Sequence, residues 1–236
     1  MSNAKLYGIG VGPGDPELLT IKAVRTIERC DVIAVPEPGD SERTAMNVVE
    51  EYLHEKELLM CRFSMNHDVR KRRDSRHRVA EKIISVLKKG KSVGFITLGD
   101  PSVYSTYSYI RDIICAAGFK AETIPGVASF SAAAAALNIA LCEGNEPLYI
   151  LSTTCMEEME KWITLPGTKV LMKSGKNIDC MLKTLQDHGL AEQTRLVVRC
   201  TMDDQQVFPN LGEIDIMNLQ LPTEYFSMLI VKEKKQ

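Results

Sequence analysis

Two glycine turns, GIGVGPGDPELLT from Gly8 to Thr20 and TLGDPSVYSTYSYI from Thr97 to Ile110, constrain this chain more than any other feature. Each follows an apolar run that reads as a strand and leads into a segment with helical spacing. Glycine suits places where the backbone takes positive φ or comes close to another group, because it has no Cβ to obstruct either. Two such turns at the ends of neighbouring strands would share one sheet edge, which is where open α/β sheets bind ligands. Each turn also holds an Asp-Pro pair, Asp15-Pro16 and Asp100-Pro101. Such a pair predicts a carboxylate capping a helix, with proline in its first turn.

The chain has 236 residues, 44% hydrophobic and 25% charged, enough for one large domain or two small ones with a sizeable core. Its formal charge of −2 argues against a protein that binds nucleic acid mainly through phosphates. No apolar run approaches the roughly 20 residues needed to span a bilayer, and no basic-then-apolar leader opens the sequence. The expected location is therefore the cytoplasm, with no membrane and no nucleic-acid partner. Ser2-Asn3-Ala4 resembles a cloning remnant and is expected to stand outside the fold. Cys30, Cys61, Cys115, Cys142, Cys155, Cys180 and Cys200 show no C-x-x-C spacing, and several sit in apolar runs, as buried free thiols do. His54, His67, His77 and His188 form no metal-ligand pattern, so no bound metal is expected.

Strand candidates at Lys5–Val11, Val32–Val35, Leu58–Cys61, Ser92–Leu98 and Ala121–Ile124 alternate with helical faces through the first half. In the second half the candidates are Leu148–Leu151, Lys169–Met172, Arg195–Cys200, Gln206–Leu211 and Phe226–Val231, with fewer helices between them. The contrast predicts an α/β fold of two domains sharing a cleft. Residues 1–122 would carry a mostly parallel sheet and residues 123–236 a mixed sheet with antiparallel pairing.

A dinucleotide-binding reading fails on register. From Gly8 the G-x-G-x-x-G pattern needs glycine where Pro13 stands, and from Gly10 where Asp15 stands. The bland alternative is that both aspartates only cap and both glycine turns only turn. A third run of small residues, PGVASFSAAAAA from Pro125, again follows a strand and is not needed by caps.

The three segments, GVGPGD, LGDPSVY and PGVASFSAAAA, together resemble the tetrapyrrole (corrin and porphyrin) methylase family. LLTIKAVRTIERCDVIAVP after the first motif and the terminal YFSMLIVKE extend the resemblance over nearly the whole chain. Within the family, TLGDPSVYSTYSYI, PGVASFSAAAA and the pattern around Phe63, Met65 and Asp68 look like the precorrin-2 or cobalt-factor II C(20)-methyltransferases of cobalamin synthesis. Uroporphyrinogen III methylases usually carry R-L-K-G-G-D-P at the second turn, whereas this chain reads FITLGDP. That activity, and a carrier that binds the macrocycle without catalysis, are the alternatives.

The resemblance implies the tetrapyrrole methylase fold, S-adenosylmethionine as methyl donor, a small-molecule tetrapyrrole substrate and a homodimer. It places Pro13, Leu98, Gly99, Asp100, Val103, Ala128, Ser129, Lys173 and Cys200 around the donor. The last two depart from the residue types common among uroporphyrinogen methylases. Tyr104 and Tyr107 are expected on the substrate side, where a flat macrocycle favours aromatic walls, with core packing as the alternative. Arg62 and the run Arg70, Lys71, Arg72, Arg73, Arg76 and Arg78 could meet substrate carboxylates or simply face solvent.

Overall fold

The computed structural model describes residues 4–37, 40–64, 68–154, 158–214 and 226–232. These residues divide into two compact units, Met1–Ser129 and Phe130–Gln236. The sequence boundary at 122/123 would cut a strand, Lys120–Ile124, that pairs with the first strand of the chain and so belongs to the first unit. No helix among the described residues is long and apolar enough to cross a membrane.

The first unit is a parallel five-stranded sheet of β1 (Lys5–Gly10), β2 (Val32–Glu37), β3 (Glu57–Arg62), β4 (Val93–Thr97) and β5 (Lys120–Ile124), in the order β3-β2-β4-β1-β5. The inner strands β2, β4 and β1 are near-continuous apolar runs because helices cover both faces, whereas the edge strands β3 and β5 bury only one residue each. On one face lie α1 (Ile21–Arg29) and α2 (Asp40–Val48), which bury Ala23, Ile27, Ala45 and Val48 against Ile9, Ile33, Val35, Ile96 and Ile124. On the other lie α3 (Val69–Lys88) and α4 (Tyr107–Ala116), with Val79, Ile83, Ile110 and Ile114 packed on Leu6, Ala34, Val93 and Phe95. Ala4 also packs against this second cluster, so it is part of the fold. From β1 the chain runs outward through α1 to β2 and β3, then returns through α3 to β4 and departs the other way through α4 to β5. The direction of winding therefore reverses between β1 and β4. At such a switch point the connecting segments part and leave a crevice beyond the strand ends.

The second unit holds a mixed sheet of β6 (Leu148–Ser152), β7 (Thr168–Met172), β8 (Thr194–Val198), β9 (Gln206–Phe208) and β10 (Ser227–Val231), in the order β6-β7-β10-β8-β9. β6 and β7 run parallel, while β10 is antiparallel to both β7 and β8, as the adjoining strand signals predicted. Its helices are α5 (Ser129–Ala136), which begins at the division between the units, α6 (Met159–Ile163) and α7 (Ile178–Asp187). The last two bury Met159, Ile163, Met181 and Leu185 on Leu171, Leu196 and Leu229. Strand signals at Arg195–Cys200 and Gln206–Leu211 overran the observed strands, which end at Val198 and Phe208. Cys200 follows in a turn and Leu211 opens a short 3-10 segment.

Candidate functional site

β4, β1 and β5 are contiguous, and each ends in one of the three small-residue motifs. The first two motifs are joined directly: Gly12 N–H donates to the Gly99 carbonyl at 3.3 Å, Gly99 N–H returns to the Gly12 carbonyl at 2.6 Å, and Val11 N–H donates to the Thr97 carbonyl at 3.0 Å. Gly12 and Gly99 sit at φ 78° and 71°, left-handed conformations that glycine adopts without strain. The third motif closes on the other two. A Cβ added at Gly126 would lie 2.3 Å from the Gly99 carbonyl oxygen and 2.8 Å from the Gly10 carbonyl carbon. One placed at Gly10 would lie 2.6 Å from Gly126 N. Gly10, Gly99 and Gly126 thus allow three backbones to meet with no side chain between them.

The two aspartates, alike in sequence, do different work. Asp15 Oδ1 accepts from Glu17 N–H at 2.8 Å and caps a single 3-10 turn, Pro16–Leu18, with Pro16 in first position. No helix begins at Asp100, contrary to the expectation of a cap; α4 starts only at Tyr107. Instead Asp100 Oδ1 accepts from Ser102 N–H at 2.8 Å and from the Ser102 hydroxyl, while Oδ2 accepts from Gly126 N–H at 3.0 Å. Its carboxylate therefore ties the second motif to the third, across 26 residues of chain. Hydrogen bonds to a charged group contribute roughly 1.5–3 kcal/mol. Asp100→Ala is accordingly expected to weaken binding of the donor that the resemblance implies about tenfold, and Asp15→Asn to change it less than about twofold. Calorimetric titration of both variants with S-adenosylhomocysteine checks this, and equal small losses would return Asp100 to a local turn role.

Of the donor-site residues expected from sequence, Leu98, Gly99, Asp100, Val103, Ala128 and Ser129 gather around this crevice, with Ser129 N 3.9 Å from a Cβ built on Gly99. Pro13 and Gly99 are buried and shape their turns, whereas Leu98, Val103, Ala128 and Ser129 keep part of their surface. Tyr104, 46% exposed, stands at φ 48°, a conformation that costs a non-glycine residue stability and tends to be kept at working sites. Tyr107 must be moved from the substrate wall to the core. It is 1% exposed, its ring lies where a Gly8 Cβ would be 2.2 Å away, and its hydroxyl donates to the Glu122 carbonyl at 3.2 Å. The absence of a side chain at Gly8 makes room for that ring on the sheet. Arg62 ends β3 at the same end of the sheet. Met65 and Cys155 lie outside the described residues.

Lys173 and Cys200 belong to the second unit, where they follow the parallel strands β7 and β8 at one edge of the sheet. Burial lowers the pKa of the Lys173 ammonium and pushes the Cys200 thiol up to about 11. The backbone around both is unusual: Lys173, Arg199 and Thr201 take φ of 62°, 51° and 66°. The apolar-run signal marked these strand ends but not their companions. Buried Thr153 after β6 donates its hydroxyl to the Met172 carbonyl at 3.2 Å, Asn177 donates to the Thr153 carbonyl at 2.8 Å, and Arg199 N–H donates to the Phe226 carbonyl at 3.0 Å. Small polar residues just past an apolar run were the available clue. Among the described residues no group of three or more His, Cys, Asp or Glu is placed to hold a metal ion.

The family model for the tetrapyrrole (corrin/porphyrin) methylases matches residues 5–215, which span both units and all three motifs. The chain belongs to the tetrapyrrole methylase family. It is 34% identical to a Methanocaldococcus jannaschii protein named "Probable cobalt-precorrin-2 C(20)-methyltransferase", over 98% of this chain and 97% of that one. It is 32% identical to the cobalt-precorrin-2 C(20)-methyltransferase of Salmonella typhimurium, over 98% of each. Among solved structures, the uroporphyrin-III C-methyl transferase of Thermus thermophilus in complex with S-adenosylhomocysteine aligns with a TM-score of 0.72 at 19% identity, covering 98% of both chains. That last likeness concerns the fold. Placed on the methylase fold, the glycine crevice is the first unit's switch point, and the strained turns of the second unit are the ends of its parallel strands.

Proposed function

We propose that this methylase transfers a methyl group from S-adenosylmethionine to carbon 20 of a tetrapyrrole in cobalamin biosynthesis, with cobalt-precorrin-2 as the acceptor. The observation that carries this is 32–34% identity, over nearly the full length, to two proteins whose names give that reaction, one of them as probable, in a chain whose three family motifs meet at one crevice. The residues present suit a sulfonium donor. The glycines bring three backbones together with their N–H and C=O groups engaged by one another and by Asp100, and Leu98, Val103, Val127 and Ala128 offer half-exposed apolar surface beside them. The donor, when bound, supplies a methyl group on positive sulfur. Its transfer to an electron-rich ring carbon leaves a neutral thioether, and that carbon gives up its proton, ultimately to solvent, so the chain's own task is binding, orientation and control of water at the reacting carbon. In this reading Leu98, Val103, Ala128 and Ser129 hold the donor, and Lys173 and Cys200 line its nucleoside end. Asp100 keeps the second and third turns in register, and Tyr104 faces the macrocycle. The displacement calls for no protein-bound metal. The working form is taken to be a cytoplasmic homodimer, as the family resemblance implies.

The test is an anaerobic assay of the purified chain with methyl-labelled donor and, separately, cobalt-precorrin-2, precorrin-2 and uroporphyrinogen III. Label is expected on cobalt-precorrin-2 at carbon 20, with one S-adenosylhomocysteine released per methyl. Transfer only to uroporphyrinogen III, or to none of the three, would remove the proposal.

A further inference from the structure

A basic hollow in the first unit lies apart from the glycine crevice. Arg62, Phe63 and Ser64 after β3, with Ser75, Arg78, Val79 and Lys82 of α3, line a cavity of about 450 Å³. The helical residues fall at i, i+3, i+4 and i+7, so they present one face. Phe63 packs on the sheet core, edge-on to Phe95 with ring centroids 6.2 Å apart, and Val79 is buried. Together they give the hollow an apolar floor. Ser75, also buried, accepts from Ser64 N–H at 3.1 Å and donates to the Arg72 carbonyl at 2.8 Å, which holds the loop against the helix.

Among the described residues, three cations and no acid line this hollow. Arg78 and Lys82 take part in no ion pair among the described residues, whereas their neighbours on α3 are engaged elsewhere. Arg73 approaches Asp74 at 3.7 Å, and the Arg76 guanidinium lies 3.5 Å from the centroid of the Tyr109 ring. Of the basic run, Arg78 therefore borders the hollow, with Lys82 one turn further along the helix, while Arg73 and Arg76 are engaged elsewhere. Exposed cations bordering an apolar floor suit an anion carried on an apolar body. Because the sheet is parallel, the end of β3 lies at the same sheet edge as the motif turns, two strands from β4 or about 10 Å.

We propose that this hollow is a carboxylate subsite, in which Arg62, Arg78 and Lys82 take an acid side chain of the macrocycle whose ring carbon is presented at the glycine crevice. This assignment rests on the methyl-transfer reading for its ligand. It goes beyond that reading in naming which cations orient the ring.

The test is a fluorescence titration of the full chain, without donor, using uroporphyrin and, in parallel, coproporphyrin, the same ring with fewer carboxylates. Arg62→Gln, Arg78→Gln and Lys82→Gln should each weaken uroporphyrin binding about threefold and the Arg78→Gln/Lys82→Gln pair about tenfold, since these charges are exposed. The loss should shrink in high salt and be smaller for coproporphyrin. Arg78→Lys should restore most of the affinity, Arg73→Gln should change nothing, and S-adenosylhomocysteine affinity should be unaltered throughout. The subsite is overturned if wild type does not bind uroporphyrin, if the double variant binds it as wild type does, or if donor affinity falls in parallel. The titration uses neither donor nor turnover. A failed methyl-transfer assay therefore leaves its result standing, and a failed titration leaves methyl transfer untouched.

Discussion

Gly126→Ala is expected to lower the rate of methyl transfer on the order of 100-fold, the size of effect that follows a misplacement of about 1 Å near the reacting groups. Its Cβ would lie 2.3 Å from the Gly99 carbonyl oxygen and 2.8 and 2.9 Å from Gly10 backbone atoms. No side chain can rotate out of the way, so the third turn must move off the other two. Gly126 has no positive φ, and the penalty is therefore purely one of space. Overpacking of this kind costs about 1–3 kcal/mol, or about 5 °C in Tm for a chain of this size. Gly189→Ala provides the contrast. That glycine has φ of 67° and no atom within 4 Å of an added Cβ, so alanine there should cost about 1 kcal/mol of stability and leave the rate unchanged. Initial rates and thermal melts of the two variants separate crowding at the crevice from general strain. Equal rates for both would mean that contact among the three turns does not matter.

The second large effect is expected at Tyr107. Tyr107→Ala should destabilise the first unit by about 3–5 kcal/mol, because it empties a fully buried aromatic site between α4 and the sheet. Tyr107→Phe keeps the ring over Gly8 and its contact with Phe95, at 6.1 Å between centroids, and loses the hydroxyl that donates to the Glu122 carbonyl and accepts from the Thr123 hydroxyl. It should cost about 1 kcal/mol and leave KM for the tetrapyrrole unchanged. Chemical denaturation and steady-state kinetics measure both. A raised KM with unchanged stability would restore Tyr107 to the substrate wall.

What was legible in the sequence follows from how each signal arises. Strand ends and glycine turns are local patterns, so β1, β4 and β5 and their motifs could be read directly, and their winding order then brings the motifs together. The cap that Asp-Pro after a strand suggests locally is absent at Asp100, whose second partner is the amide of Gly126, far along the chain. Tyr107 fits a substrate wall and a core equally well by composition, and only its position over Gly8 decides between them. The unit boundary was set too early because β5 is short and its pairing with β1 is non-local. Similarly, a run of six basic residues gives no hint that Arg78 shares a hollow with Arg62 while Arg76 lies over an aromatic ring.

Hydrogen exchange with and without S-adenosylhomocysteine tests most directly whether these turns are the donor platform. Amides of residues 9–13, 98–104 and 126–130, and those following β7 and β8 at 173–175 and 199–202, should slow on binding, while the hollow beside α3 stays unchanged. Protection confined to other segments, with these five regions exchanging as in the free protein, would contradict it.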